Sequence, residues 1–472
     1  MLKKLPKFLL KHWFIVHLFF LVLYVAYICY KIFADKGVNP LDGKEEIIAA
    51  FNLPLFLLLL TGFILLSGGV FLKKINFTTR IVLLSAGYIL ASFGFIKTLD
   101  PELDWQGGDV AWGNYNAANE INQYGIQYVV NTWNDRTNPS LQSPFQEVND
   151  SVLSIFNNYN LHCLTFNKWK HDIFPGGLEK SNNRPYMHPP FAPIFLGFWL
   201  KIIPFGRWSA VLLMILISLV SLLFFIFFFF RNEIFHYEAD KILVLALFTT
   251  PVMIIFPNPS AEQLSGLLFL LSVVLIIKST KRIKISYFIA GVLIGLAFYT
   301  KFNIIFYIFI QLVFLAVKMR YFGFKAFAAY ASGIFMVFLF FTLSGYYFWL
   351  TFITGFVYTK IYAINNPVGL LLGFSKLIYF GPALFLLFFI FIADKQMVLS
   401  KNNPVLLPVL LSLVVLSLFL WDQGTWNRYL TFYLPAMSLF LLPALRKHSF
   451  KTRDLIIIPV VNITFLFLSI YL

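Results

Sequence analysis

Long apolar runs dominate this chain and constrain its fold more than any other feature. About thirteen runs approach the length of roughly 20 residues that a helix needs to cross a bilayer. With 59% hydrophobic and only 12% charged residues, the composition excludes a soluble or a disordered protein. We therefore predict an all-α polytopic membrane protein with about thirteen transmembrane helices. The runs lie at residues 8–33, 47–72, 80–97, 208–230, 242–257, 262–279, 285–300, 303–318, 326–350, 370–392, 404–421, 429–445 and 455–472.

The stretch 285–318 has two interpretations, one long tilted helix or two short helices. Basic clusters flank it at residues 278–284 and 318–325. If both clusters are cytoplasmic, the chain must cross the membrane twice between them. We therefore predict two short helices with Lys301 at their outer junction.

The net charge of +16 indicates membrane orientation rather than nucleic-acid binding. A topology with a cytoplasmic N-terminus places 22 of the 37 basic and 5 of the 21 acidic residues on the cytoplasmic side. The outer side then carries 15 basic and 16 acidic residues and is almost neutral. We predict an integral protein of a bacterial inner membrane with its functional site on the extracytoplasmic face.

One polar loop differs from all the others. Residues 98–190 contain ten acidic residues, and a loop of this length is improbable without structure of its own. We expect a folded cap with interfacial helices, followed by a short apolar helix within 189–205 that lies in the interface or re-enters the membrane. The predicted units are two N-terminal transmembrane helices at 1–79, a core at 80–318 that includes this loop, and C-terminal transmembrane helices at 319–472.

Two segments of this loop carry candidate functional residues. Asp109 follows two glycines and opens a helical pattern that ends at Gly125, so it is either a helix N-cap or a carboxylate that faces a membrane-embedded substrate. The two interpretations are compatible. Further along, Arg184, Tyr186 and His188 precede a Pro-Pro pair that suits the first turn of a helix, and this presents His188 at the membrane surface.

Charged residues also occur at the predicted outer ends of membrane helices. Glu262, Lys301 and Arg428 are of this kind. Each side chain could simply extend to the lipid headgroups, but ionisable groups near the membrane are functional candidates. Two cations on one side could hold an anionic group such as a lipid phosphate. No Walker A motif, Rossmann glycine pattern or zinc spacing occurs, so no cofactor is predicted; a divalent cation is left open without a motif to support it.

Four segments together resemble motifs of GT-C membrane glycosyltransferases, in particular protein O-mannosyltransferases and aminoarabinose lipid A transferases. Val110 and Met187 stand where these families often have an acidic residue. The resemblance runs from about residue 80 to about residue 445. The segments are Asp109-x5-Tyr115-x2-Ala118-x2-Ile121-x3-Gly125, Tyr186-Met187-His188-Pro189-Pro190, Gly291 to Ala297 with Thr300-Lys301, and Arg428-Tyr429 with Leu434-Pro435-Ala436.

The resemblance implies a GT-C-like bundle that transfers a hexose or pentose from a polyprenyl-phosphate donor to a lipid, glycan or protein acceptor. Asp109 would be the general base of an inverting reaction. Lys301, Arg428, Arg184 and His188 would bind the donor phosphate. Tyr115, Tyr186 and Glu262 would line the substrate pocket.

Other functions remain open from the sequence. A secondary transporter or lipid flippase would show internal repeats and charges at the membrane midplane. A polymerase or ligase of lipid-linked glycans would also suit a large outer loop. A non-catalytic assembly protein would leave the outer cations without a ligand. The expected partners are the lipid-linked donor, the acceptor and membrane lipids, and no nucleic acid.

Overall fold

The structure is a computed structural model. All regular secondary structure among its described residues is helical. No strand occurs among them, in agreement with the predicted all-α class. The described residues are 53–72, 74–96, 108–126, 189–230, 237–249, 261–278, 283–301 and 324–344, with the single positions 304, 308, 311, 312, 315, 435, 436, 438, 446 and 460. Their helices are α1 (Leu53–Phe71), α2 (Phe77–Ile96), α3 (Gly108–Tyr124), α4 (Phe191–Ile202), α5 (Arg207–Phe230), α6 (Glu238–Phe248), α7 (Glu262–Lys278), α8 (Ile283–Thr300) and α9 (Phe324–Leu343).

Among the described residues, three segments have the length and composition needed to cross a membrane. They are Phe77–Gly94 in α2, Arg207–Phe228 in α5 and Phe324–Leu343 in α9. Helices α7 and α8 have 17 and 18 residues, so each is slightly shorter than a hydrocarbon core of about 30 Å. The predicted runs at 8–33, 303–318, 370–392, 404–421, 429–445 and 455–472 lie outside the described residues except for single positions. The count of about thirteen helices therefore stays a prediction.

Helices α1 and α2 form a tight antiparallel pair. The Asn76 side chain caps α2, because its Oδ1 accepts a hydrogen bond from the Thr79 N–H at 2.7 Å. The buried Arg80 guanidinium donates to the carbonyls of Gly69 and Leu72 at the end of α1. These bonds satisfy carbonyl groups that a helix end otherwise leaves unpaired. The link between the two helices is thus fixed by local polar contacts.

The membrane helices pack in a continuous series. Helix α1 contacts α2 and α6, α2 contacts α5, and α5 contacts α7. Helix α7 then packs on α8, and α8 on α9. Helix α1 corresponds to the second of the two helices predicted for the N-terminal unit 1–79. It therefore packs on the first helix of the predicted core.

Small residues bring α8 and α9 into backbone contact. A Cβ atom at Gly291 would overlap the Tyr330 carbonyl oxygen, and one at Gly333 would overlap the Phe288 carbonyl oxygen. Gly295 faces the Val337 side chain one turn further along. Such small-residue contacts are typical of helix association in membranes, where close packing replaces the hydrophobic driving force.

Helices α3 and α4 form a further pair, and α4 also contacts α5 and α8. At 12 residues α4 is only about 18 Å long, so it is too short to cross a bilayer. The site of Gly197 on α4 lies against the Ala118 carbonyl oxygen of α3. Helix α3 ends at Gly125, whose φ of 85° closes the helix as predicted. The short helix predicted within 189–205 is present at Phe191–Ile202, and its place in the membrane interface stays a prediction.

Candidate functional site

An ion pair between Glu262 and Lys301 is the centre of the candidate site. Lys301 Nζ lies 3.1 Å from Glu262 Oε1. The Glu262 side chain is completely buried and the Lys301 side chain is only 6% exposed. Lys301 therefore does not extend to the lipid headgroups, which was the alternative that the sequence left open. Burying a charge away from water costs free energy unless the charge is paired. Each of the two buried side chains therefore serves as the counterion of the other.

The ends of two helices bring this pair together. Glu262 is the first residue of α7, and Lys301 directly follows the last residue of α8. The two helices pack on each other with a short connection at their other ends, so the start of α7 and the end of α8 meet. An anion at a helix N-terminus and a cation at a helix C-terminus are both favoured by the helix dipoles. The end of α8 at Thr300 agrees with the predicted break at Thr300-Lys301.

Buried polar residues surround the pair. Gln263, Ser265 and Thr300 are all buried beside it in sequence. Ser265 Oγ donates to the Ala297 carbonyl at 3.2 Å, and Thr300 Oγ1 donates to the Leu296 carbonyl at 2.7 Å. We call Glu262, Gln263, Ser265, Thr300 and Lys301 the Glu262–Lys301 cluster. Five buried polar side chains at adjoining helix ends are unusual in a membrane protein and mark a candidate site.

Backbone strain precedes the acidic member of the cluster. Ala261 has a φ of 71°, and it is the one residue other than glycine with positive φ in the described part of the chain. It is also buried. An alanine in this region costs about 1 kcal/mol or more, and such strain is concentrated at functional sites. Sequence reasoning missed this feature and the roles of Gln263, Ser265 and Thr300. The sequence signal that could have indicated these residues was the run of polar residues at the start of the apolar helix α7.

Helix α3 carries two further predicted site residues. Asp109 is its second residue, two places inside the N-cap position, a difference within the usual variation of helix bounds. The Tyr115 hydroxyl lies near Gly206, with 3.7 Å between that oxygen and the site of a Cβ atom at Gly206. Helix α4 contacts both α3 and α8. It therefore packs between the helix that carries Asp109 and the helix that ends directly before Lys301.

Four predicted site residues fall outside the described part of the chain. They are Arg184, Tyr186, His188 and Arg428. Of the eight predicted site residues, the structure therefore brings Glu262 and Lys301 together and places Asp109 and Tyr115 on one helix. Among the described residues, no group of three His, Cys, Asp or Glu side chains could hold a metal ion.

The comparison with known families finds a match in the middle of the chain. The model of the dolichyl-phosphate-mannose-protein mannosyltransferase family matches residues 187–349, about a third of the chain. His188, Glu262 and Lys301 lie inside the match, and the other predicted site residues lie outside it. No curated protein and no solved structure matches the chain.

The matched region contains the Glu262–Lys301 cluster and helices α4 to α9. Apolar helices of spanning length together with this match suggest an integral membrane protein. The match also supports a mannosyltransferase-like glycosyltransferase, since that is the activity of the family. Over residues 187–349, the chain is thus similar to the dolichyl-phosphate-mannose-protein mannosyltransferase family, which is a GT-C family.

Proposed function

We propose that this protein transfers a hexose or pentose from a polyprenyl-phosphate donor to a lipid, glycan or protein acceptor. The reaction takes place on the extracytoplasmic face of a bacterial inner membrane. The observation that supports this most strongly is the buried Lys301 ammonium, held 3.1 Å from Glu262 inside the matched family domain. A buried cation at the end of a short membrane helix suits the phosphate of a lipid that lies in the bilayer.

In this proposal Lys301 binds the donor phosphate. An ammonium group donates up to three hydrogen bonds, so a carboxylate and a phosphate oxygen can share it. As the bond between sugar and phosphate breaks, negative charge grows on the phosphate oxygens, and a fixed cation offsets it. Arg428, Arg184 and His188 are further candidates for this role. Glu262, Tyr115 and Tyr186 line the substrate pocket.

Asp109 is the proposed general base. The acceptor hydroxyl attacks the anomeric carbon, the carbon–oxygen bond to the phosphate breaks, and Asp109 takes the hydroxyl proton. Polyprenyl phosphate leaves with the bonding electrons. Because a lipid phosphate is already a good leaving group, one carboxylate is sufficient where a glycosidase needs two. A direct attack inverts the configuration at the anomeric carbon.

The positions of the buried charges favour an enzyme over a transporter or flippase. The buried charged residues in the described part of the chain are Arg80, Asp240, Glu262 and Lys301. Each lies within four residues of the start or end of a helix. A transporter typically places such groups in broken helices near the midplane of the membrane. A polymerase or ligase would differ from this proposal only in the size of its donor.

A transfer assay tests the proposal. Purified protein in lipid vesicles is given a panel of labelled polyprenyl-phosphate sugars, a labelled nucleotide sugar and a lipid-linked oligosaccharide. The expected result is transfer of labelled sugar, with release of polyprenyl phosphate, from one member of the first group and no transfer of sugar from the nucleotide sugar. Turnover of the lipid-linked oligosaccharide alone would instead identify a polymerase or ligase. Movement of lipid across the bilayer without cleavage would identify a flippase.

A further inference from the structure

Glu262 opens a helical turn that backbone and side-chain hydrogen bonds hold in place. The strained Ala261 precedes it, and the Ala261 carbonyl accepts a hydrogen bond from the Ser265 N–H at 3.0 Å. The Ser265 hydroxyl in turn donates to the Ala297 carbonyl of α8. The first turn of α7 is therefore attached to α8 directly beside the carboxylate.

The backbone of Lys301 is also hydrogen-bonded to the Ala297 carbonyl. Its N–H donates to the Ala297 carbonyl at 2.9 Å, and its own carbonyl accepts from the Ile304 N–H at 3.2 Å. Ala297 thus anchors both the turn that carries Glu262 and the residue that carries the ammonium. The Ser265 hydroxyl and the Lys301 N–H both bond to this carbonyl, and the two charged side chains lie 3.1 Å apart, so a carboxylate stands beside any anion that binds Lys301.

This arrangement has a consequence for the charge of the lipid. A sugar linked to polyprenyl phosphate is a phosphodiester with one negative charge. The polyprenyl phosphate that remains after transfer is a monoester, which carries nearly two negative charges at neutral pH. A fixed carboxylate near Lys301 repels both anions, but it repels the monoester more strongly.

From this geometry we infer that Glu262 weakens the binding of the lipid phosphate product more than that of the donor, and so promotes product release. The Glu262 carboxylate pairs with the Lys301 ammonium when no lipid is bound, and it stays beside the ammonium after a lipid binds. The inference rests on the proposed role of Lys301 in binding phosphate. It gives Glu262 a positioning and discriminating role rather than a part in the chemical step.

Binding measurements on the full chain in detergent micelles test the inference. The probes are a polyprenyl monophosphate and a polyprenyl phosphodiester of the same chain length, at about pH 7.5. Glu262→Gln keeps the shape of the side chain and removes its charge. We expect this variant to bind the monophosphate about tenfold more tightly, with a clearly smaller gain for the diester. An unchanged or weaker affinity for the monophosphate, or an equal gain for both lipids, overturns the inference.

The matched control is Glu238→Gln. Glu238 also lies in the first turn of a helix and pairs with a lysine, Lys241, but its side chain is 40% exposed. We expect this variant to bind both lipids as the wild type does. Lys301→Gln should weaken both probes; if it does and Glu262→Gln gives no gain, only the inference fails. If Lys301→Gln leaves both affinities unchanged, the proposed phosphate site fails and the inference fails with it.

The wild type offers a test that needs no variant. A cation without a neighbouring carboxylate would bind the doubly charged monophosphate more tightly than the diester. With Glu262 in place, we expect the wild type to bind the diester at least as tightly as the monophosphate. A preference of about tenfold or more for the monophosphate overturns the inference, even if Glu262→Gln does not fold.

Discussion

Asp240 and Arg446 lie 206 positions apart in the chain and form an ion pair with two contacts. Arg446 Nε lies 2.9 Å from Asp240 Oδ1, and Arg446 Nη2 lies 3.2 Å from Asp240 Oδ2. The Asp240 side chain is completely buried and that of Arg446 is 26% exposed. The guanidinium also lies 4.9 Å from the centre of the Tyr237 ring. This pair joins α6 to a position near the C-terminal end of the chain.

Removing one partner of this pair should destabilise the protein. Asp240→Asn and Arg446→Gln should each lower the free energy of unfolding by about 3 kcal/mol, because a buried charge loses its counterion. The measurement is reversible unfolding in detergent. Glu238→Gln, which disrupts the more exposed pair with Lys241, should cost less than about 1 kcal/mol. Equal losses in the free energy of unfolding from the buried pair and from the exposed pair would contradict the conclusion that Asp240 and Arg446 stabilise the fold.

The contact between α8 and α9 predicts a second stability difference. Gly291→Ala would place a methyl group on top of the Tyr330 carbonyl oxygen, and backbone atoms cannot move aside easily. We expect a loss of about 2 kcal/mol or more, and poor yield of folded protein. Gly68→Ala is the matched control, because the nearest atom to its Cβ is a leucine side chain at 3.7 Å. Its thermal unfolding should match the wild type; a Gly291→Ala variant as stable as this control would refute the close contact.

The proposed phosphate site predicts a kinetic effect at Lys301. Lys301→Gln should reduce kcat/KM for the lipid-linked donor by about a hundredfold, the size expected when one group that stabilises the transition-state charge is lost. Lys201→Gln is the control, because Lys201 is an exposed lysine in the last turn of α4. Initial rates of polyprenyl phosphate release give both values. A loss of similar size in both variants would mean that general surface charge, and not the buried ammonium, determines the rate.

Local sequence signals predicted the helices well because each signal acts within a few residues. The Pro-Pro pair at 189–190 marked the start of α4, and Thr300-Lys301 marked the end of α8. Gly125 marked the end of α3 for the same reason, since its positive φ favours glycine. These features depend on the backbone preferences of the residues themselves, so no knowledge of the tertiary contacts was needed.

Pairs between distant residues could not be predicted in this way. Sequence analysis placed Glu262 and Lys301 on the same side of the membrane but did not predict that they pair, because pairing depends on how α7 packs on α8. It gave no sign that Asp240 meets Arg446. The contact between Gly291 and Gly333 was missed too, although Gly291 had been noted for its place in a motif.

In the proposed function, Asp109 accepts the proton from an acceptor during sugar transfer from a lipid phosphate. Glu120 lies on the same helix α3, and Glu120→Gln is therefore the matched control for Asp109→Asn. The most direct measurement is release of polyprenyl phosphate from a labelled donor by the wild type and both variants, at equal amounts of folded protein. We predict that Asp109→Asn abolishes release and Glu120→Gln retains it. Near-normal release by Asp109→Asn would contradict the account.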